Sequence, residues 1–339
     1  MLQIEQNKSL KKYNTFGLDV NADYFTSVNS IDELIAVLKD DHFFDSSKMF
    51  LGGGSNILFT KDYRGLIIHN CLNGIEVVNR DANFVYVKAE SGEGWHDFVL
   101  YCIDKGFGGV ENMSLIPGSV GAGPMQNIGA YGVEMKDVFY ELEALNLATL
   151  QLEKFSNTDC KFGYRESVFK NEKKDQYFIV SVTFRLSLNP TVNTTYGAIQ
   201  QQLSAMNVEY PTIKDVSDAV IAIRSSKLPN PAVLGNSGSF FKNPEISTND
   251  YERLRNEFPN VHAYPTNNGY KLAAGWLIEQ CGWKGKVVGN CGSHKDQALV
   301  LVNYGNATGD EIYQLALAIQ DSVFEKFQVR IIPEVNVYA

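Results

Sequence analysis

The sequence has no CxxC pair, no apolar run near the ~18 residues needed to cross a bilayer, and no basic excess. Each absence removes a class of protein. The five cysteines (Cys71, Cys102, Cys160, Cys281, Cys291) are scattered and odd in number, which reads as reduced thiols, most of them core filler, rather than a disulfide frame. Thirty Lys and Arg against 39 Asp and Glu give a net charge of −9, the wrong sign for a nucleic-acid protein. The start, Met1-Leu2-Gln3-Ile4-Glu5, lacks a basic segment leading into an apolar stretch, so no signal peptide is expected and the chain reads as cytoplasmic. Common chemistry motifs also fail. Gly52-x-Gly54 would need a third glycine where Ile57 stands, and Gly92-x-Gly94 one where Asp97 stands; neither GxxxxGK[ST] nor GxSxG occurs. Cys281, Cys291 and His294 fit no zinc spacing, so no metal is expected.

What remains is a globular composition, 44% hydrophobic over 339 residues, long enough for two or three domains. Ser30-Ile31-Asp32-Glu33 is a capping box that starts a helix with Ile31, Leu34, Ile35 and Leu38 on one face. Trp95 to Ile103 has helical spacing and stops at Gly106. Strands are expected at Met49–Leu51, Ile57–Phe59, Phe84–Ala89, Glu141–Leu147, Tyr177–Leu186 and Ala298–Val302, and a β-like stretch at Val329–Val337. Val216, Ala219, Val220 and Ile223 mark a helix that ends at Lys227-Leu228-Pro229-Asn230-Pro231, whose two prolines make a domain boundary. Further helices are expected near 249–258 and 271–280, and a long one after the capping box Thr308-Gly309-Asp310-Glu311.

Two glycine-rich segments carry the chemical signal. Gly52-Gly53-Gly54-Ser55-Asn56 reads as a tight turn between strands. Residues 116–132 hold five glycines and two prolines in seventeen positions, a density that suits a structured loop following a ligand. Successive backbone N–H groups in such turns form concave anion sites, and two of them around one diphosphate would bind a dinucleotide without a Rossmann helix.

Together these segments resemble the flavin domain of the vanillyl-alcohol-oxidase type. Further motifs narrow the resemblance: Tyr13-Asn14-Thr15-Phe16-Gly17, Phe162-Gly163-Tyr164-Arg165-Glu166-Ser167, Thr195-Tyr196-Gly197, Arg224-Ser225-Ser226-Lys227-Leu228-Pro229, Gly238-Ser239-Phe240-Phe241-Lys242-Asn243-Pro244, Leu272-Ala273-Ala274-Gly275-Trp276-Leu277-Ile278 and Pro333-Glu334-Val335. Their order and spacing resemble the UDP-N-acetylenolpyruvoylglucosamine reductase family over essentially the whole chain, in its longer subtype, which has the segment around Tyr196. The resemblance implies an α+β fold: an FAD-binding domain of the vanillyl-alcohol-oxidase (PCMH) type in two lobes, 1–73 and 74–228 closed by 329–339, plus a separate α+β substrate-binding domain, 229–328. It implies reduction of UDP-N-acetylglucosamine enolpyruvate to UDP-N-acetylmuramate by NADPH through non-covalent FAD, in peptidoglycan precursor synthesis. The partners implied are that UDP-sugar ether and NADPH, with no nucleic acid or membrane.

The resemblance also implies roles for single residues. Arg165 and Glu334 would stabilise the enolate that hydride addition creates, Arg165 through its planar fork and Glu334 as an acid sharing a proton; Ser239 would protonate the substrate carbon. Tyr164, Tyr196, Lys227 and Asn243 match substrate contacts. The flavin contacts fall on Gly52, Gly53, Gly54, Ser55 and Asn56, and on Ile116, Pro117, Gly118, Ser119, Gly121, Ala122, Gln126, Asn127, Gly129, Ala130 and Tyr131. On spacing alone, Arg165 reads as a surface cation, Ser239 as a cap and Glu334 as a solvated acid. Ser237 is a rival hydroxyl two residues from Ser239. Two other readings stay open: another FAD-dependent oxidase or dehydrogenase on the same domain, and a flavin or sugar-nucleotide binder without turnover.

Overall fold

A computed structural model describes residues 3–339 and divides the chain into two units. The first comprises the chain up to Lys8, Ala22–Gly53 and Arg64–Ser226; the second comprises Ser9–Asn21, Gly54–Tyr63 and Lys227–Ala339. Both mix helices and strands. Among the described residues no helix is long and apolar enough to cross a membrane.

The first unit is built on two sheets. Glu5–Ser9, Asn21–Val28, Tyr63–Asn70 and Lys48–Leu51 lie side by side in that order, the last two in parallel. An antiparallel sheet runs Leu152–Ser156, Phe139–Asn146, Tyr177–Ser187, Phe84–Glu90, Ile75–Arg80. Tyr177–Ser187 is buried on both faces, so its alternation alone does not describe it. Phe178 and Val180 enter a core with Val28, Leu34, Leu66 and Ile68, whereas Ile179, Val182, Phe184 and Leu186 enter another with Val87, Trp95 and Phe98. Trp95 opens the helix Trp95–Asp104, fully buried, with its indole N–H donating to Met113 O at 2.9 Å. Gly106 follows that helix at φ +73°, a left-handed stop that glycine adopts without strain. A third, smaller core joins the helices Gly197–Ala205 and Ile213–Lys227 through Ile199, Leu203, Val216, Ala219, Val220 and Ile223, with Tyr131 packed against it.

The second unit folds around the helix Gly309–Phe327, which presents Ile312, Leu315, Ile319, Val323 and Phe327 to a core shared with Phe16, Phe240, Phe241, Leu277 and Ile278. Its capping box forms in full: Thr308 Oγ1 accepts the Glu311 N–H at 3.2 Å, and the Glu311 carboxylate accepts the Thr308 N–H at 2.7 Å. At Ser30 only half of the expected box forms. Ser30 Oγ caps Glu33, but the Glu33 carboxylate takes the N–H of Asn29 instead. The unit's main sheet has the order Gly235–Ser239, Val300–Asn303, Cys291–Ser293, Val287–Val288. The β-like C-terminal stretch is a strand only at Asn336–Tyr338, which pairs in parallel with Ile57–Phe59. Pro333, which has no N–H to give a ladder, lies upstream in an isolated bridge with Phe241.

Candidate active site

In the first unit the two glycine-rich segments meet. A Cβ on Gly52 would stand 2.7 Å from Ser119 Oγ, and one on Gly53 3.5 Å from Gly118 Cα. The missing side chains are therefore what permits the approach. Gly118 adopts φ +103°. Among the described residues, the amide N–H groups of Gly52, Gly53, Gly118 and Ser119 donate to no protein acceptor. Four uncommitted donors on adjoining turns, three of them on glycines, form a cradle that fits a diphosphate. Gly121 is packed as closely, since a Cβ there would collide with the Ser91 side chain.

The rest of residues 116–132 is more regular than its composition suggests. It contains a 3-10 turn at Val120–Ala122 and a small hairpin that pairs Gly129–Ala130 with Val133–Glu134. Side chains from elsewhere in the unit pin it. Ser167 Oγ donates to Met125 O at 2.7 Å, and the Arg165 guanidinium donates to Asn127 O at 3.2 Å and Gly129 O at 2.6 Å. Asn127 is buried and engaged three times: Nδ2 donates to Glu134 and to Gly163 O, and Oδ1 accepts the Lys136 N–H. Its side chain shapes the loop. Pro117 and Ala122 are exposed, whereas Ile116, Gln126, Gly129, Ala130 and Tyr131 are partly buried.

Arg165 sits on a tight turn in which Gly163 and Glu166 bond each other's backbone. It has φ +55°, a left-handed conformation uncommon for a non-glycine residue. Its guanidinium lies over the Tyr164 ring, 5.4 Å from the centroid. Tyr196, half exposed at the start of the helix Gly197–Ala205, meets Tyr131 edge-on at 5.3 Å. Lys227 is exposed at the end of the helix Ile213–Lys227.

The second unit brings Ser239 and Glu334 onto adjoining chain segments. Glu334 N–H donates to Phe240 O at 2.8 Å, directly after Ser239. Asn56 Nδ2 donates to Glu334 O at 3.4 Å. Ser239 ends the strand Gly235–Ser239 beyond a register shift that begins after Asn236, with Gly238 at φ +71°. That bulge turns Ser239 outward, where it is exposed. Ser237, on the same strand, is 7% exposed and its Oγ has no hydrogen-bond partner. The two hydroxyls thus have opposite surroundings. Asn243 Oδ1 accepts the N–H of Ala274, the first residue of the helix Ala274–Gln280, so part of this side chain serves as a helix cap. Gly54 is held against Tyr13 O, where no side chain would fit.

Residues that sequence reasoning left without a role complete the first unit's site. Asn112 is buried and donates to Tyr131 O at 3.1 Å and to Asn193 O at 2.9 Å, tying the glycine loop to the segment that leads to Tyr196. Arg224 donates to Leu115 O at 3.2 Å. Burial pushes the Tyr131 phenol up from its ordinary value, and the nearby Arg224 cation pulls it back.

Comparison with known proteins agrees with both units. A family model described as "FAD binding domain" matches residues 22–151, and one described as "UDP-N-acetylenolpyruvoylglucosamine reductase, C-terminal domain" matches 230–338. A Flavobacterium johnsoniae protein named UDP-N-acetylenolpyruvoylglucosamine reductase is 53% identical over 338 residues, covering 99% of this chain and 100% of that one. A protein of the same name from Amoebophilus asiaticus is 50% identical, covering 99% of each. The crystal structure of the Thermus caldophilus reductase of that type, 20% identical, covers 100% of both chains with a TM-score of 0.69 and shows the same fold.

Proposed function

The chain belongs to the UDP-N-acetylenolpyruvoylglucosamine reductase family, and we propose that it reduces the enolpyruvyl ether of a UDP-sugar with NADPH. It is an FAD-dependent oxidoreductase of peptidoglycan precursor synthesis. The observation that carries this reading is the meeting of Gly52-Gly53 with Gly118-Ser119, whose four free amides suit the diphosphate of FAD. Bound FAD supplies hydride transfer from NADPH to the alkene. The work of the protein is to hold the reactants, stabilise charge and deliver a proton.

In this proposal residues 1–73 and 74–228 with 329–339 serve FAD, and 229–328 serve the sugar nucleotide. Besides the four amides, Gly54, Ser55 and Asn56, and Ile116, Pro117, Gly121, Ala122, Gln126, Asn127, Gly129, Ala130 and Tyr131, make up the flavin loops. Arg165 directs its guanidinium charge at the substrate carboxylate as the enolate forms, a planar fork matched to a planar anion. Glu334 shares a proton with the same developing charge. Ser239 gives the final proton to carbon; its exposure and its position beside Glu334 in sequence-distant segments support that role. Lys227 and Tyr196 meet the uridine diphosphate, and Tyr164 and Asn243 complete the substrate contacts. In this reading the reaction runs in the cytoplasm.

The test is colour. The purified chain should be yellow, NADPH should bleach it without oxygen, and the enolpyruvyl sugar should then restore the colour. A colourless chain that takes up no FAD, or a bleached flavin that the sugar leaves bleached, overturns the reading.

A further inference from the structure

Residues 116–132 begin after Leu115 and close at Tyr131-Gly132, and both ends are strained. Leu115 has φ +59° and Tyr131 φ +49°, left-handed conformations that a bulky residue keeps only when its surroundings fix it. The surroundings are polar and specific. The Leu115 N–H donates to His96 Nδ1 at 3.0 Å, and its carbonyl accepts from Arg224 Nε at 3.2 Å. At the other end Asn112 holds the Tyr131 carbonyl, and the Arg224 guanidinium faces the Tyr131 hydroxyl. One side chain therefore touches both ends of the loop. Arg224 is partly buried, and its electrostatic counterpart among the described residues is that phenol, not a carboxylate. A guanidinium withdrawn from water and left without an acid is unusual unless its geometry is needed.

We propose that Arg224 is a positioning residue that clasps the glycine-rich loop at its two ends and so fixes Tyr131, and with it Tyr196, before any ligand arrives. The inference rests on the flavin reading of the loop. The arginine is essential to it, because one side chain has to donate through Nε to Leu115 and also meet the Tyr131 hydroxyl, which a single ammonium serves poorly. The helix Ile213–Lys227 contributes Arg224 from its last turn, so the clasp also links the flavin loop to the backbone that ends in Lys227. Tyr131 passes the constraint on through its edge-on contact with Tyr196.

Three variants of the full-length chain test this: Arg224→Lys, Arg224→Met and Tyr131→Phe. Two readouts do not depend on turnover: hydrogen exchange of the amides in 116–132, and FAD affinity from flavin fluorescence after the bound flavin is stripped. Both arginine variants should speed exchange in the loop by roughly 10-fold or more and weaken FAD by about 10–100-fold, with lysine no better than a few-fold above methionine. Tyr131→Phe, which removes one hydroxyl and keeps the core, should show a smaller change of the same kind. In steady state the loss should fall mainly on KM for the enolpyruvyl sugar rather than on kcat. Wild-type exchange and FAD affinity in Arg224→Met overturn the clasp. So does full rescue by lysine, which would mean that charge alone suffices. If the methionine variant does not fold, the lysine and phenylalanine variants decide by the same criteria. A wild-type chain that binds no FAD would instead refute the flavin reading, and the exchange measurement would still judge the clasp.

Discussion

The loop at 116–132 and the strand at 235–239 are both glycine-bearing and each is braced by a buried asparagine, but among the described residues only the loop is also strapped by side chains from other elements. The loop is pinned from outside by Arg165 on two of its carbonyls and Ser167 on a third, and its own Asn127 bonds outward to Glu134, Gly163 and Lys136. The strand is held by pairing with Val300–Asn303 and by its own Asn236, whose side chain donates to Pro229 O and Leu234 O and accepts the Gly238 N–H at the bulge. Its hydroxyls are left uncommitted, Ser239 in the open and Ser237 buried without a partner. In the proposed flavin loop the polar side chains hold the shape, while the amides of Gly118 and Ser119 stay open. A proton donor, the role proposed for Ser239, must change partners, and a hydroxyl without internal bonds suits it.

Substitutions can break either half of this comparison. Among the substitutions that probe how these segments are held, the largest effect should come from Arg165→Met, which removes the proposed electrophile and two straps together. Steady-state kcat should fall by about 10²–10³-fold, and Arg165→Lys should recover little of it, because a point charge cannot replace the fork. Near-normal turnover in the lysine variant would show that the fork is dispensable. Next comes Gly121→Ala. Its methyl would be driven into the Ser91 side chain, so chemical denaturation should show a loss of about 1–3 kcal/mol, with weaker FAD binding beside it. An unchanged midpoint would mean that the loop has slack. The smallest effect, and the one of opposite sign, is Ser237→Ala. Removing a buried hydroxyl that has no partner should raise stability by roughly 1 kcal/mol and leave turnover alone.

Much of this fold was legible because its signals are local. The two capping boxes located the helices at 31–38 and 309–327, and period-two alternation located Tyr177–Ser187. Local signals failed where the partner is distant. The antiparallel pair Ala263–Thr266 and Gly269–Leu272 has few apolar residues to alternate, and Val329–Val337 is mostly irregular because Pro333 interrupts it. The glycine segments announced themselves by composition, yet their meeting at Gly52 and Ser119 did not, since it depends on how the first unit's strands pack. The same holds for the residues that steady the site. Asn112 and His96 are ordinary letters in the sequence, Arg224 stands in a motif but without a role, and only the approach of Leu115 and Tyr131 gives the three partners. The bulge that sends Ser237 and Ser239, two serines on one strand, to opposite surroundings likewise left no mark in the sequence.

The central claim is that the exposed Ser239 gives the substrate its proton, and separating the two half-reactions tests it most directly. In stopped flow without oxygen, NADPH should bleach Ser239→Ala at nearly the wild-type rate. Recolouring by the enolpyruvyl sugar should slow by about 10²–10⁴-fold, the usual loss for a missing general acid. Ser237→Ala should match wild type in both halves. Recolouring of Ser239→Ala at the wild-type rate, or the same defect appearing in Ser237→Ala instead, would contradict the assignment.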